Sequence, residues 1–128
     1  MSNENFKIQL RKGLLEFCIL QVLSKEKLYT SEIIVKLNES QIIVVEGTVY
    51  PLLSRLKNKG FVDSEWIESK QGPPRKYYHL TKNGKNYLTE LTSSYAEVNS
   101  SIQNLINNKY SLNYNYKLKI IHKIFYIF

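Results

Sequence analysis

The sequence predicts a mostly α-helical α+β fold made of three helices, a two-stranded β-hairpin and a long C-terminal helix. Apolar residues recur at helical spacing up to residue 60, alternate over residues 61–80, and then follow a heptad pattern from residue 82. A length of 128 residues with 43% hydrophobic content is enough for one packed domain with an appendage. We divide the chain accordingly at residues 1–81, 82–109 and 110–128.

The first two helices are predicted from short apolar stripes. Helix 1 is expected from Lys12 to Ser24, and Cys18 within it is interpreted as a buried structural thiol. A very short strand at residues 28–29 precedes helix 2. Helix 2 is expected to begin at an N-cap formed by Thr30 or Ser31 and to end near Asn38.

Helix 3, from about Glu46 to Gly60, has two contrasting faces. Its apolar face comprises Val49, Leu52, Leu53 and Leu56. Its opposite face is small, hydroxylated and basic, and contains no carboxylate; it comprises Gly47, Thr48, Pro51, Ser54, Arg55 and Asn58. Pro51 is expected in the first turn, Val45 is a weak N-cap, and Gly60 is a suitable stop. The pattern predicts a helix with one buried side and one side suited to an anion.

The β-hairpin is predicted from two extended segments, Phe61 to Glu68 and Arg75 to Leu80, joined by a loop from Ser69 to Pro74. Alternation along the second strand places Tyr78 and Leu80 on its inward side. We interpret Trp66 as part of the core or as support for the hairpin. The tip of the hairpin is basic.

The last helix is expected from Lys82 to about Asn108, with Thr81 as its N-cap. Its heptad seam comprises Leu88, Leu91, Tyr95, Val98, Ile102 and Leu105. The seam could pack back on its own domain. Only its first turns can reach a small core, which favours pairing with a second copy of the chain.

The segment 110–128 differs in composition from the rest of the chain. It is rich in Tyr, Asn, Lys, Ile and Phe, contains no acidic residue and shows low complexity. Three interpretations stay open: a cloning or frame-shifted extension, an additional dimer contact, or a basic, apolar segment from Lys117 to Phe128 that lies on a membrane surface.

The order of these elements is that of a winged helix-turn-helix domain, in which the third helix enters the DNA major groove and the hairpin, or wing, reaches the flanking backbone. A net charge of +7 suits a polyanionic partner. We therefore predict residues 1–81 as the DNA-binding domain, residues 82–109 as a dimerisation helix and residues 110–128 as an atypical tail. The predicted contacts to double-stranded DNA come from helix 3 and the wing. They are Thr48, Tyr50, Pro51, Ser54, Arg55, Lys70, Gln71, Gly72, Arg75 and Lys76.

Several segments together resemble the PadR family of bacterial transcriptional regulators. They are residues 46–53 with 55–56, residues 60–62 with Trp66, residues 72–78 with 80–81 and Gly84, and residues 11–13 with 28–29. The resemblance covers roughly residues 8–108; Val45 and the tail depart from it. It implies a homodimeric repressor of a palindromic promoter site, released by small aromatic or hydrophobic effectors. Tyr95 resembles the aromatic residue on which such effectors stack, although simple seam packing also explains it.

Other classes of function find little support in the sequence. No nucleophile motif, phosphate-binding glycine loop or metal-ligand spacing occurs, so we expect no enzyme activity, no cofactor and no metal. A winged-helix module that binds a protein or RNA partner is the alternative. A single cysteine and a polar N-terminus lead us to expect a cytoplasmic protein without obligate membrane association.

Overall fold

The computed structural model describes residues 3–108 and 114–127. Its elements are α1 (Asn3–Leu23), β1 (Leu28–Tyr29), α2 (Thr30–Glu39), α3 (Glu46–Asn58), β2 (Val62–Ser69), β3 (Gly72–Leu80), α4 (Lys82–Ile106) and α5 (Tyr114–Ile127). They form two compact units, Met1–Thr92 and Ser93–Phe128. This is the mostly helical α+β winged-helix fold that the sequence predicts, with a long C-terminal helix.

The first unit has one hydrophobic core, to which every element up to the start of α4 contributes. Apolar residues at helical spacing point into it from α1, α2 and α3, because that spacing places them on one face of each helix. The fully buried members include Ile19, Leu20, Leu28, Ile33, Leu37, Val49, Leu53, Leu56 and Val62. The predicted apolar face of helix 3 is confirmed, with Leu52 only partly buried at its margin.

Two predictions about the first helices were wrong. Helix α1 begins at Asn3 rather than Lys12, because the segment before the apolar stripe also favours a helix and carries an ion pair between Glu4 and Lys7. Helix α2 is capped by Tyr29, whose backbone N–H donates to the Glu32 carboxylate at 3.3 Å. Thr30, one of the predicted caps, is instead a buried helical residue. Cys18 is half-buried, and desolvation raises the pKa of its thiol.

Helix α3 starts and stops for identifiable reasons. Val45 precedes it without a side-chain cap, as its residue type predicts. At the other end Gly60 has φ of +80°, and the N–H groups of Gly60 and Phe61 donate to Lys57 and Leu56 at 3.0 Å each. Pro51 lies in the second turn rather than the predicted first turn, because the helix already begins at Glu46.

The sheet is antiparallel with strand order β1-β3-β2, so the predicted two-residue strand adds an edge to the hairpin. The inward positions of Tyr78 and Leu80 are confirmed. The predicted loop was too long: only residues 70–71 form the turn. Residues 72–74 belong to β3, where Pro73 and Pro74 lie at a register shift opposite Glu68. Proline is tolerated there because the bulge leaves its missing N–H without a ladder partner.

A tight junction joins the end of α3 to the start of α4. The Thr81 hydroxyl donates to the Gly60 carbonyl at 2.6 Å and accepts from the Gly84 N–H at 3.0 Å, which confirms Thr81 as the cap. Gly84 is buried so close to the Phe61 backbone that an added Cβ would overlap the Phe61 carbonyl oxygen. The Phe61 and Tyr87 rings stack beside it with centroids 4.1 Å apart.

The second unit contains the later turns of α4 and helix α5. The seam of α4 begins inside the core of the first unit, where Leu88 is buried and Leu91 is partly buried. Its later members are exposed: Tyr95, Val98, Ile102 and Leu105. The segment 114–127 forms a helix, and the described side chains within it are exposed. Across residues 3–108 and 114–127, no helix has the length and apolar character needed to cross a membrane.

Candidate nucleic-acid interface

The outward side of α3 is a narrow strip of small side chains, here called the α3 strip. It consists of Gly47, Pro51, Ser54 and Asn58, all exposed. These positions lie opposite Val49, which is buried, so packing of the apolar face fixes the direction in which the strip points. The only carboxylate on α3 is Glu46 in its first turn. An anion can therefore approach the α3 strip closely, because the strip has neither bulky side chains nor a carboxylate that would repel it.

On the side of the α3 strip toward α1 lie Thr48 and Arg55. The Arg55 guanidinium forms an ion pair with Glu16 of α1 through both its Nε and Nη2 atoms. The Glu16 side chain is 21% exposed and that of Arg55 is 56% exposed, so solvent reaches this ion pair mainly from the guanidinium side. Arg55 is thus held at the flank of the strip and still presents cationic N–H groups to solvent.

Thr48 lies at a groove of about 350 Å³ between the first turns of α1 and the loop before α3. Arg11 and Lys12 line the same groove, together with the apolar side chains Ile8, Leu15, Ile43, Val44 and Val45. The two cations extend the basic surface beyond α3.

On the other side of the α3 strip, toward the wing, lie Tyr50 and Lys57. The Lys57 ammonium donates to the Ser64 hydroxyl of β2 at 2.7 Å, which fixes α3 to the wing. Tyr50 is 48% exposed and close to Tyr78, whose pKa is raised chiefly by burial and further by Tyr50. Tyr50 therefore presents about half of its surface to solvent, while Tyr78 belongs to the core.

The turn of the wing is short and polar. Lys70 and Gln71 occupy the turn and Gly72 begins β3, and all three are exposed. The Gln71 N–H faces the Ser69 hydroxyl at 3.4 Å. The two prolines that follow Gly72 restrict the backbone beside this two-residue turn, and the Lys70 and Gln71 side chains extend from it into solvent.

Arg75 and Lys76 point to opposite faces of the wing because they are consecutive residues of one strand. Arg75 lies on the outer face, with its guanidinium 4.6 Å from the centroid of the Tyr29 ring. Its Nη1 atom also donates to the Tyr29 hydroxyl at 3.2 Å. The Tyr29 ring is in turn packed edge-on against Tyr77 at 5.3 Å. The guanidinium is thus oriented before any ligand arrives.

Lys76 lies on the face of the wing that carries Tyr78, with its ammonium 5.7 Å from that ring. Its partner across the ladder is Trp66. Trp66 is 69% exposed, so of its two predicted roles the place in the core was wrong, and support for the hairpin stays a prediction. It shares a strand face with buried Val62, but β2 extends past the edge of the core before it reaches residue 66.

Beside the predicted contacts the structure places four further residues that could take part in the candidate interface: Arg11, Lys12, Tyr29 and Lys57. Arg11 and Lys12 precede the apolar stripe of α1, and nothing local relates them to Thr48. The contact between Tyr29 and Arg75 joins residues 46 positions apart, which no sequence period predicts.

One ion pair neutralises charge locally at the wing. Lys27 pairs with Glu65, and this hydrogen bond and charge hold the pKa of that carboxyl below its usual value. The stabilisation from this pair is present above the unfolded-state pKa and is lost as pH falls through the folded-state pKa. Within the described residues, no group of three His, Cys, Asp or Glu side chains could hold a metal ion.

Comparisons with known proteins agree with this fold. The sequence model of the transcriptional regulator PadR-like family matches residues 19–90, more than half of the chain. The chain belongs to the PadR-like family. A structure of a PadR-like transcription factor from Bacteroides fragilis is similar at 54% identity and a TM-score of 0.67, covering 79% of this chain and 98% of that one.

Two further relatives extend the comparison. A PadR-like transcriptional regulator from Bacillus cereus is 39% identical with a TM-score of 0.71, covering 77% of this chain and 96% of that one. An uncharacterised protein of Lysinibacillus sphaericus is 31% identical over 94 residues, which are 71% of this chain and 86% of that protein. The resemblance inferred from the sequence is therefore confirmed, and the family is one of DNA-binding regulators of transcription.

The contact between Tyr29 and Arg75 leads to a prediction about the DNA affinity of this PadR-like protein. Tyr29→Leu should weaken binding to duplex DNA by up to about fivefold at low salt, because the Arg75 side chain is no longer pre-oriented and ordering it on binding costs up to about 1 kcal/mol. Tyr29→Phe should have a smaller effect because the ring stays. The measurement is a double-mutant cycle of fluorescence-anisotropy titrations with Arg75→Ala. If Tyr29→Leu costs the same affinity in the Arg75→Ala background, Tyr29 does not act through Arg75.

Proposed function

We propose that this PadR-like protein is a homodimeric repressor that binds a palindromic promoter site through the α3 strip and the wing. The observation that best supports this proposal is the exposed α3 strip. Helix α3 has no carboxylate beyond its first turn, and the strip is bordered by Thr48 and Arg55 on one side and by Lys57 on the other. A face of this kind can lie against base edges while hydroxyl, guanidinium and ammonium groups bond the adjacent phosphates.

The wing and the flank beside α1 extend this contact to the DNA backbone. Lys70 and Gln71 at the turn, Arg75 on the outer face and Lys76 on the inner face would each meet phosphates from a different side. Arg11 and Lys12 would do the same beyond Thr48. This division assigns sequence readout to α3 and most of the salt-dependent affinity to the wing and α1.

The dimer in the proposal rests on the later turns of α4. Val98, Ile102 and Leu105 are 59%, 47% and 62% exposed, and all lie on one face of the helix. A continuous apolar face of that kind is buried when two such helices pair along a heptad seam. Pairing would hold two α3 helices about 34 Å apart, the spacing of successive major grooves on one side of the duplex.

The proposal includes release of the DNA by a small aromatic or hydrophobic compound. Tyr95 is 45% exposed in the middle of the same seam, where an aromatic ring could stack. The compound would bind between the paired helices and thereby change the distance between the two α3 helices.

One observation favours the alternative of a protein-binding module. Ile43 and Val45, in the loop before α3, are 58% and 65% exposed and line the groove beside α1. These residues lie at the flank of the α3 strip and not on it. The strip itself carries no apolar side chain larger than proline, so we favour DNA.

The test uses the full-length protein and a duplex selected from a random-sequence pool by repeated binding. Ser54→Glu places a carboxylate in the middle of the α3 strip and should lower affinity for the selected duplex at least about tenfold. Asn83→Glu, in the exposed first turn of α4, changes the charge equally and should leave affinity within about twofold. Gel-shift titrations at two salt concentrations should also show a steep loss of affinity with salt.

Two outcomes would contradict the proposal. One is a selection that enriches no duplex, with a parallel RNA pool enriching instead. The other is equal affinity of the Ser54→Glu and Asn83→Glu proteins, which would mean that the α3 strip does not contact DNA.

A further inference from the structure

The proposed function assigns no role to helix α5. Its described side chains divide into an apolar face and a basic face. Ile120, Ile121, Ile124 and Phe125 are 37%, 51%, 52% and 79% exposed. At helical spacing they form one continuous apolar face, while Lys119 and Lys123 lie one turn apart on the opposite face. An exposed isoleucine and phenylalanine face of this kind is costly to leave in water.

The charge on this part of the chain has one sign. After Glu97 the sequence contains no aspartate or glutamate up to residue 128, whereas the described part of α5 contains Lys119 and Lys123. A partner that covers the apolar face and also carries negative charge would therefore complement both faces of the helix. A second copy of α5 could cover the apolar face but would bring further cations and no negative charge.

We propose that α5 is an amphipathic helix that binds reversibly to the surface of an anionic lipid bilayer. The isoleucines and Phe125 would enter the boundary between headgroups and acyl chains, and Lys119 and Lys123 would stay among the phosphates. Duplex DNA satisfies the lysines but leaves the apolar face in water, so the bilayer surface fits both faces better. The helix has 14 residues and lies in the interface plane rather than across the membrane.

The experiment is co-sedimentation of the full-length protein with phosphatidylcholine vesicles, with and without phosphatidylserine. Binding to the anionic vesicles and weak binding to the neutral ones are expected. Lys119→Gln with Lys123→Gln should weaken binding to the anionic vesicles about 30-fold, since each lysine near such a surface contributes about fivefold. Ile120→Ser with Ile124→Ser should weaken it at least about tenfold by removing the buried apolar area.

The matched control is Lys82→Gln with Lys85→Gln, which removes two exposed charges from the start of α4. These substitutions should leave vesicle binding within about threefold. Absence of binding to anionic vesicles, or an equal loss in the control, would overturn the proposal. The proposal would also be overturned if the Lys119→Gln, Lys123→Gln protein lost affinity for duplex DNA but not for vesicles. The same holds if the Ile120→Ser, Ile124→Ser protein differed from the wild type only in its oligomeric state. No DNA is present in the vesicle assay, so its outcome is independent of the proposed repressor function.

Discussion

Replacing Gly84 by alanine should lower the free energy of unfolding by about 2–3 kcal/mol, the cost of forcing extra volume into a packed site. The new Cβ would lie only 2.8 Å from the Phe61 carbonyl carbon and overlap the oxygen bonded to it. Backbone atoms cannot rotate away, so either α4 or the start of β2 must move. The measurement is urea denaturation followed by circular dichroism.

Gly13→Ala provides the matched control for this substitution. Gly13 also lies inside a helix, but an added Cβ would meet no atom within 4 Å. Alanine should therefore stabilise the protein by about 0.5–1 kcal/mol through its higher helix propensity. Equal denaturation midpoints for the wild type and Gly84→Ala would show that the junction between α3 and α4 is not tightly packed.

Introducing carboxylates into the exposed seam of α4 should convert the proposed dimer into monomers. Val98→Asp with Ile102→Asp places two like charges on each helix at the centre of the apolar contact, where burial without a partner is strongly unfavourable. Affinity for the selected duplex should fall at least about 100-fold, because two linked α3 helices bind far more tightly than one. Sedimentation velocity measures the oligomeric state, and anisotropy measures the affinity.

Ser100→Asp with Asn104→Asp makes the same charge change on the opposite, polar side of α4 and should leave both quantities nearly unchanged. We avoid Leu91 for this test because it packs against the core of its own unit, so its replacement would also destabilise the fold. Dimers that persist in the Val98→Asp, Ile102→Asp protein would refute the seam as the dimer contact.

Most of the fold could be predicted because its signals are periodic. The apolar spacing in α3, the alternation of Tyr78 and Leu80, and the Thr81 cap each depend on residues within one turn or one strand. The incorrect predictions of the fold concern segments that have no periodic apolar pattern. The beginning of α1 has no apolar stripe, and the turn of the wing is shortened by a bulge that accommodates Pro73 and Pro74.

The exposed side chains of α3 and of the turn of the wing could be predicted from the sequence, but the contacts that orient the basic side chains could not. The basic and hydroxylated residues of α3 could be recognised from the helical wheel. Two things needed the structure: that Arg55 is paired with Glu16, and that Arg75 rests on Tyr29. Both contacts join residues about 40 positions apart. Long-range pairing of this kind depends on the packing of the whole unit, and the sequence around either partner carries no sign of it.

The two prolines at the bulge of β3 affect another form of self-association, the edge-to-edge pairing of strands from different molecules. Strand β1 covers β3 only at Tyr77 and Tyr78, so the part of β3 nearer the turn has one unprotected side. Pro73 and Pro74 have no amide hydrogen to offer there, and a foreign strand could not extend the ladder along them. A foreign strand is therefore blocked from extending the ladder along this side of β3, next to the turn of the wing.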